Sequence, residues 1–192
     1  MDGDHQARVE AALRQAVRGD EPGFAELVRE HQAMVFSIAW HYLQDRSLAE
    51  DVAQEVFLEL YQKLAAIQSA AHLKYWLRKV SVHRAIDQGR RRKHHRETDL
   101  EDMPETVGAE PAPAGADRDP MLMGRLRQVL AGLPEKQRMM VLLRYQEDLG
   151  PAEIGELLEV PVNTVKSTLH RSLEELRGRL TRKLGGVRYA FF

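Results

Sequence analysis

Tyr75 and Trp76 sit among cations in the stretch KYWLRK, His83 follows on the same run, and RRRKHHR occupies residues 90–96. Flat rings offer stacking surfaces to unpaired bases, and Lys74, Arg78 and Lys79 supply charge that holds a phosphate backbone. A Trp that merely fills a core accounts for part of the Trp76 ring but not for its cationic neighbours. A second set is Asn163, Thr164, Lys166, Ser167, His170 and Arg171. With Val165, Leu169 and Leu176 turned inward, these donors and acceptors face outward, at sizes that reach base edges and phosphates in a major groove. The start of that helix also offers free N–H groups to a phosphate. A third set, Asp51, Gln54, Glu55, Leu58 and Gln62, recurs at three- and four-residue spacing and so shares one helical face. Leu58 is an apolar residue inside that polar face, which marks a small protein-contact patch.

None of these sets is catalytic. The chain has no H-E-x-x-H, no phosphate-binding loop, no nucleophile motif and no paired histidines with a third ligand. His94 and His95 lie in a cationic run, a poor place for a dication. No catalytic residue, metal or cofactor is expected. Cysteine is absent, which rules out disulfides and Cys-based zinc sites and fits a reducing compartment. The opening MDGDHQARVEAAL is acidic and has no apolar run, so no signal peptide is expected. No stretch approaches a membrane span. The expected location is the cytoplasm, without membrane insertion.

The elements that must position these residues are helical. The chain of 192 residues is long enough for two small domains. Apolar residues at Phe24, Leu27, Val28, Val35, Ile38, Ala39 and Tyr42 predict one helix. SLAEDVAQEVFLELYQKL predicts a second, with Ser47 and Glu50 in capping-box positions and Leu48, Val52, Val56, Leu60 and Leu64 on its buried face. HLKYWLRKVSVHRAIDQGRRRK predicts a third. Residues 97–120 hold four of the eight prolines and eight acidic residues against one Arg, and predict a flexible acidic tether. Beyond it, Gly150 serves as N-cap with Pro151 in the first turn, a helix runs to about Leu158, and another starts near Val162. Two helices with a three-residue break match a helix-turn-helix. The reading is all-α: two small helical domains, 1–97 and 121–192, joined by an acidic Pro-rich linker at 98–120, the second a helix-turn-helix domain.

Four segments, in order, resemble one family. AEDVAQEVFLELYQKL, LKYWLRKVSVHRAIDQGRRR, LPEKQRMMVLLRY and GPAEIGELLEVPVNTVKSTLHRSL are similar to the extracytoplasmic-function sigma factors of bacterial RNA polymerase, over roughly residues 20–184. The resemblance implies that Asp51, Gln54, Glu55, Leu58 and Gln62 bind the clamp helices of the largest polymerase subunit. It places minus-ten recognition and melting on the loop residues Gln68, Ser69 and His72 and on Lys74, Tyr75, Trp76, Arg78, Lys79, His83, Arg90 and Arg91. It places minus-thirty-five recognition on the Asn163–Arg171 set and a flap contact on the same domain. It also implies an anti-sigma partner covering the polymerase-binding surfaces. The abrupt switch from RRRKHHR to acid then separates a strand-gripping helix from a tether that must not cling to DNA.

Three positions depart from the family pattern. His83 stands where Asn often holds a flipped base. Thr168 stands where Arg is common, which would remove a phosphate contact. Glu159 replaces a frequent Gly, at a cost of about 1 kcal/mol if the position needs positive φ. Two rivals remain: a duplex-binding helix-turn-helix regulator, which has no use for the AEDVAQEVF helix, and an enzyme.

Overall fold

The computed structural model describes residues 2–98, 124 and 128–183. Every regular element among them is a helix. The chain divides into two compact units, Met1–Lys93 and His94–Phe192. The acidic spacer from residue 99 to 120, and the ending GGVRYAFF, lie outside the described residues.

The first unit is built from α1 (Asp2–Val17), α2 (Glu21–Leu43), α3 (Arg46–Lys63), a 3-10 turn at Leu64–Ala66, and α4 (Ala70–Thr98) up to Lys93. Its core gathers Leu27, Val35, Tyr42, Val52, Val56, Leu60, Leu73 and Leu77. On α3 the four-residue rhythm holds for Val52, Val56 and Leu60 and runs on into Leu64, while Ala49 is buried in place of the half-buried Leu48. The cap of α3 differs from expectation. Asp45, not Ser47, is the N-cap, and its Oδ1 accepts the Leu48 N–H at 3.2 Å. Aspartate and serine cap equally well, so the helix starts earlier, and Glu50 pairs with Arg46 at 2.9 Å instead of reaching back to a cap. Gln44 ends α2 at φ 52, in the left-handed region, and its N–H closes on Trp40 O at 2.8 Å.

The second unit contains a helical turn at 128–131, α5 (Glu135–Tyr145), α6 (Pro151–Leu158) and α7 (Val162–Lys183). Met139 to Leu143 are buried without interruption, so α5 is the central helix of this core. Gly150 caps α6, and the Glu153 carboxylate folds back to the Gly150 N–H at 2.8 Å. Glu159 turns the chain out of α6 at φ 54, the left-handed corner that its place in the motif requires. Val160 N–H closes that corner on Gly155 O at 2.9 Å. A Cβ on Gly155 would lie 2.8 Å from Val160 O, so the close approach needs glycine. On α7 the buried side is Val165, Thr168, Leu169, Ser172 and Leu176. Thr168 faces the core of its unit. Its difference from an Arg therefore concerns packing, not an outward phosphate contact.

Candidate functional site

Three surfaces carry the residues singled out by sequence. Asp51, Gln54, Glu55, Leu58 and Gln62 are all exposed on α3. Leu58 is 64% exposed and Tyr61, one turn on, is 62% exposed. Both lie on a groove of about 890 Å³ between α2 and α3. Phe24, Val28, Phe36, Ala53 and Phe57 line its apolar wall, with Glu21, Glu50 and Gln54 among its polar residues. Phe24 meets Tyr61 edge-on, ring centres 5.2 Å apart. Sequence reasoning missed this wall because Phe24 and Val28 fit the apolar period of α2. The structure leaves both half-buried.

The polar edge of the α3 face is tied to α4. Arg84 donates to Glu55 at 3.2 Å and to Glu59 at 2.8 Å. Lys63 holds Glu59 at 2.7 Å from the other side. The hydrogen bonds from Lys63 and then Arg84 keep the Glu59 carboxyl below its ordinary range, and the bond to Glu59 raises Arg84 in return.

The second surface is the loop before α4 and the outer side of that helix. Tyr75 and His83 are exposed and Lys79 is half-buried between them, so four-residue spacing places the three on one face. Trp76 is half-buried, with Lys63 Nζ 6.0 Å from its ring centre, a cation–π distance. Lys74 is exposed, whereas Arg78 buries its Nε with no partner among the described residues. Ser69 and His72 serve the backbone: Ser69 Oγ accepts the His72 N–H at 3.1 Å, and His72 Nδ1 accepts the Gln68 N–H at 3.2 Å. Gln68 itself is exposed. In the basic run, Arg90 and Arg91 are exposed. Arg92 turns inward and reaches Leu43 O and Asp45 Oδ2, each at 3.4 Å.

The third surface is α7. Asn163, Thr164, Lys166, Ser167, His170 and Arg171 are all exposed, as the helical register requires. Their bonds stay local: Ser167 Oγ donates to Thr164 O at 3.1 Å, Arg171 Nε to Ser167 O at 3.3 Å, and His170 lies 3.5 Å from Glu174. These side chains can swing to a ligand at little cost. Among the described residues, no group of three or more acidic or imidazole side chains could hold a metal ion. No helix there is long and apolar enough to cross a membrane.

Two family descriptions match the two units. Residues 27–95 match sigma-70 region 2, and residues 123–176 match sigma-70, region 4. An RNA polymerase sigma-E factor from Streptomyces coelicolor is 32% identical over 162 residues, which span 84% of this chain and 88% of that protein. The chain belongs to the sigma-70 family, in its extracytoplasmic-function group. The ECF RNA polymerase sigma factor SigW of Bacillus subtilis is 29% identical over 90% of this chain and 96% of its own. The sigma factor RpoE, solved in complex with the anti-sigma factor NepR from Bartonella quintana, superposes with a TM-score of 0.65. It is 20% identical, covers 86% of this chain and 98% of its own, and so bears on the fold alone. In this sigma factor the α3 and α4 surfaces fall within the region 2 match and the α7 surface within the region 4 match.

Proposed function

We propose that this protein directs promoter-specific transcription initiation as the sigma subunit of a bacterial RNA polymerase, working in the cytoplasm. The observation that carries the reading is the juxtaposition, inside the region 2 match, of an exposed protein-docking face on α3 and an aromatic–cationic face on α4. A regulator that binds only duplex DNA needs the second unit but not this pairing.

In this reading residues 1–97 bind the clamp helices of the largest polymerase subunit through Asp51, Gln54, Glu55, Leu58 and Gln62. Burying Leu58 and the groove beside it supplies apolar area, and the polar rim sets register. The α4 face then takes the minus-ten strand. Tyr75 and Trp76 offer stacking, Lys74, Lys79, Arg90 and Arg91 hold phosphates, and His83 can donate to or accept from a flipped base. Residues 121–192 present α7 to the minus-thirty-five major groove and lie against the flap. Residues 98–120 join the two domains in this reading, so limited proteolysis there should release two folded fragments. The exposed α3 groove also fits an anti-sigma partner that competes with polymerase for it.

In vitro transcription with core polymerase and fragmented genomic DNA tests the whole reading. Discrete start sites preceded by two shared elements are expected. Specific duplex binding with no start sites would leave a regulator in its place.

A further inference from the structure

We propose that Glu10 is a positioning residue for minus-ten recognition: from α1 it sets the backbone of the loop that leads into α4. The inference rests on the assignment of that loop and the α4 face to the minus-ten strand.

Glu10 Oε1 accepts the Ala70 N–H at 2.7 Å, across 60 residues of sequence. That N–H belongs to the first turn of α4, whose donors have no partner within their own helix. The neighbouring donors are served by the loop itself. Ile67 N–H goes to Leu64 O at 3.0 Å, Gln68 N–H to His72 Nδ1, and His72 N–H to Ser69 Oγ. Ile67 and Ala70 are buried on either side of the exposed Gln68. Within this set of bonds, the one from Glu10 is the brace from another helix. Its negative charge also faces the positive end of α4.

The brace is itself held firmly. Val9, Ala12, Leu13 and Ala16 bury the inner side of α1. Gly23 lets α1 and α2 approach so closely that a Cβ there would lie 2.6 Å from Gln15 Cβ. Arg8 ties the outer side of α1 to Glu26 and Glu30 of α2. All of α1 precedes residue 27, where the region 2 match begins, so this chain fixes its recognition loop with an element outside that match.

Discrimination between bases is a difference of affinities, and it survives only while the reading groups keep one geometry. Without the carboxylate, Ala70 N–H loses its acceptor and the first turn of α4 loosens around Gln68, Ser69 and His72. The loop then accepts more than one base.

The test uses the full chain with core polymerase on duplex promoters randomised across the minus-ten element. Parent, Glu10→Ala, Glu10→Gln and the double variant Lys79→Ala/His83→Ala are compared. Glu10→Ala should narrow the ratio of transcripts from preferred and singly substituted elements about tenfold, the effect of losing one charge-assisted bond. Its core-polymerase affinity should stay that of the parent. Glu10→Gln keeps a carbonyl acceptor and should restore most of the ratio. An unchanged ratio in Glu10→Ala, while the double variant loses transcription, overturns the role of Glu10 and leaves the minus-ten assignment standing. A loss in Glu10→Ala that is uniform over all elements also overturns it, because the bond would then only support the fold. Undiminished transcription by the double variant overturns the underlying assignment, and the role of Glu10 with it.

Discussion

Helices α4 and α7 are both long and both cationic, and they put their cations to different uses. On α4, Arg84 grips Glu55 and Glu59 of α3, and Arg92 reaches Leu43 O and Asp45. Lys63 of α3 covers Trp76. On α7, the polar side chains from Asn163 to Arg171, Thr168 excepted, stay exposed, and the bonds of Ser167, His170 and Arg171 lie within their own helix. The buried serines differ in another respect, since the Ser81 bond stays within its own helix. Ser81 on α4 donates to Leu77 O at 2.7 Å, whereas Ser172 on α7 has no partner among the described residues. A helix that holds a strand out of its stack must resist the few kcal/mol that unstacking costs, and bracing supplies that stiffness. A helix that reads a preformed major groove needs only to present its side chains.

The largest effect should come from the corner that presents α7. Gly155→Val puts a side chain where a Cβ alone would crowd Val160 O, and overpacking there should cost about 3 kcal/mol. Thermal unfolding should show a weakened second unit and the minus-thirty-five footprint should vanish, while core-polymerase affinity holds. An intact footprint would mean that α7 needs no such corner.

Next comes the pair of substitutions that sets the two helices against each other. Lys79→Ala/His83→Ala should cut transcription from a duplex promoter about tenfold and recover on a pre-melted bubble, where the template has already met the unstacking cost. Lys166→Ala should instead weaken binding on every sequence and flatten the salt dependence by about one counterion. The same response from both would erase the distinction.

Arg91 and Arg92 sharpen it within α4. Arg92→Ala should lower the stability of the first unit by about 1 kcal/mol in urea unfolding, through its bonds to Asp45 and Leu43. Arg91→Ala should leave stability alone and weaken DNA binding. If Arg92→Ala is neutral, the inward tie does not brace the helix.

The buried polar groups give the smallest effects. His31 donates to Leu27 O at 2.9 Å, and burial lowers its pKa from 6.5, against the raising influence of that bond and of Glu30; His5 and Lys74 lower it further. The unfolded chain therefore takes up the proton first. Stability of the first unit should be full above pH 6.5 and fall as the pH drops below it. His31→Gln keeps a donor for Leu27 and should flatten the decline between pH 7.5 and 5.5; an equally steep decline in the variant would place the proton elsewhere. Ser172→Ala should raise stability by about 0.5 kcal/mol, since it removes an unpartnered hydroxyl and improves helix propensity. A fall in stability there would reveal a partner for the hydroxyl.

The α7 face was legible because one edge of that helix is buried at a regular 3.6-residue period, so every outward position could be counted. The register left Thr168 out of the outward set; the expectation of a lost phosphate contact there came from the family pattern, and its position, three after Val165, belongs to the core side. On α3 two good capping residues stand two apart, and only the backbone decides that Asp45 begins the helix. The groove was hidden because periodicity registers that Phe24 and Val28 are apolar but not whether a neighbour covers them. Arg92 looked like its neighbours in a run of cations, and its inward turn depends on where Asp45 folds. The link from Glu10 to Ala70 joins residues too distant for any spacing rule.

The groove between α2 and α3 also governs how the isolated chain behaves in solution. Among the described residues, Leu58 and Tyr61 are exposed there, and Phe24, Val28, Phe36 and Phe57 stay half-buried, which leaves aromatic and aliphatic surface open to water. Sulfate strengthens the association of such surface by being excluded from it, and cooling weakens it. Surface ion pairs such as Arg46–Glu50 respond the other way, since salt of any kind screens them. Purified without a partner, the protein should therefore be most soluble cold and in chloride, and should self-associate first on warming in sulfate.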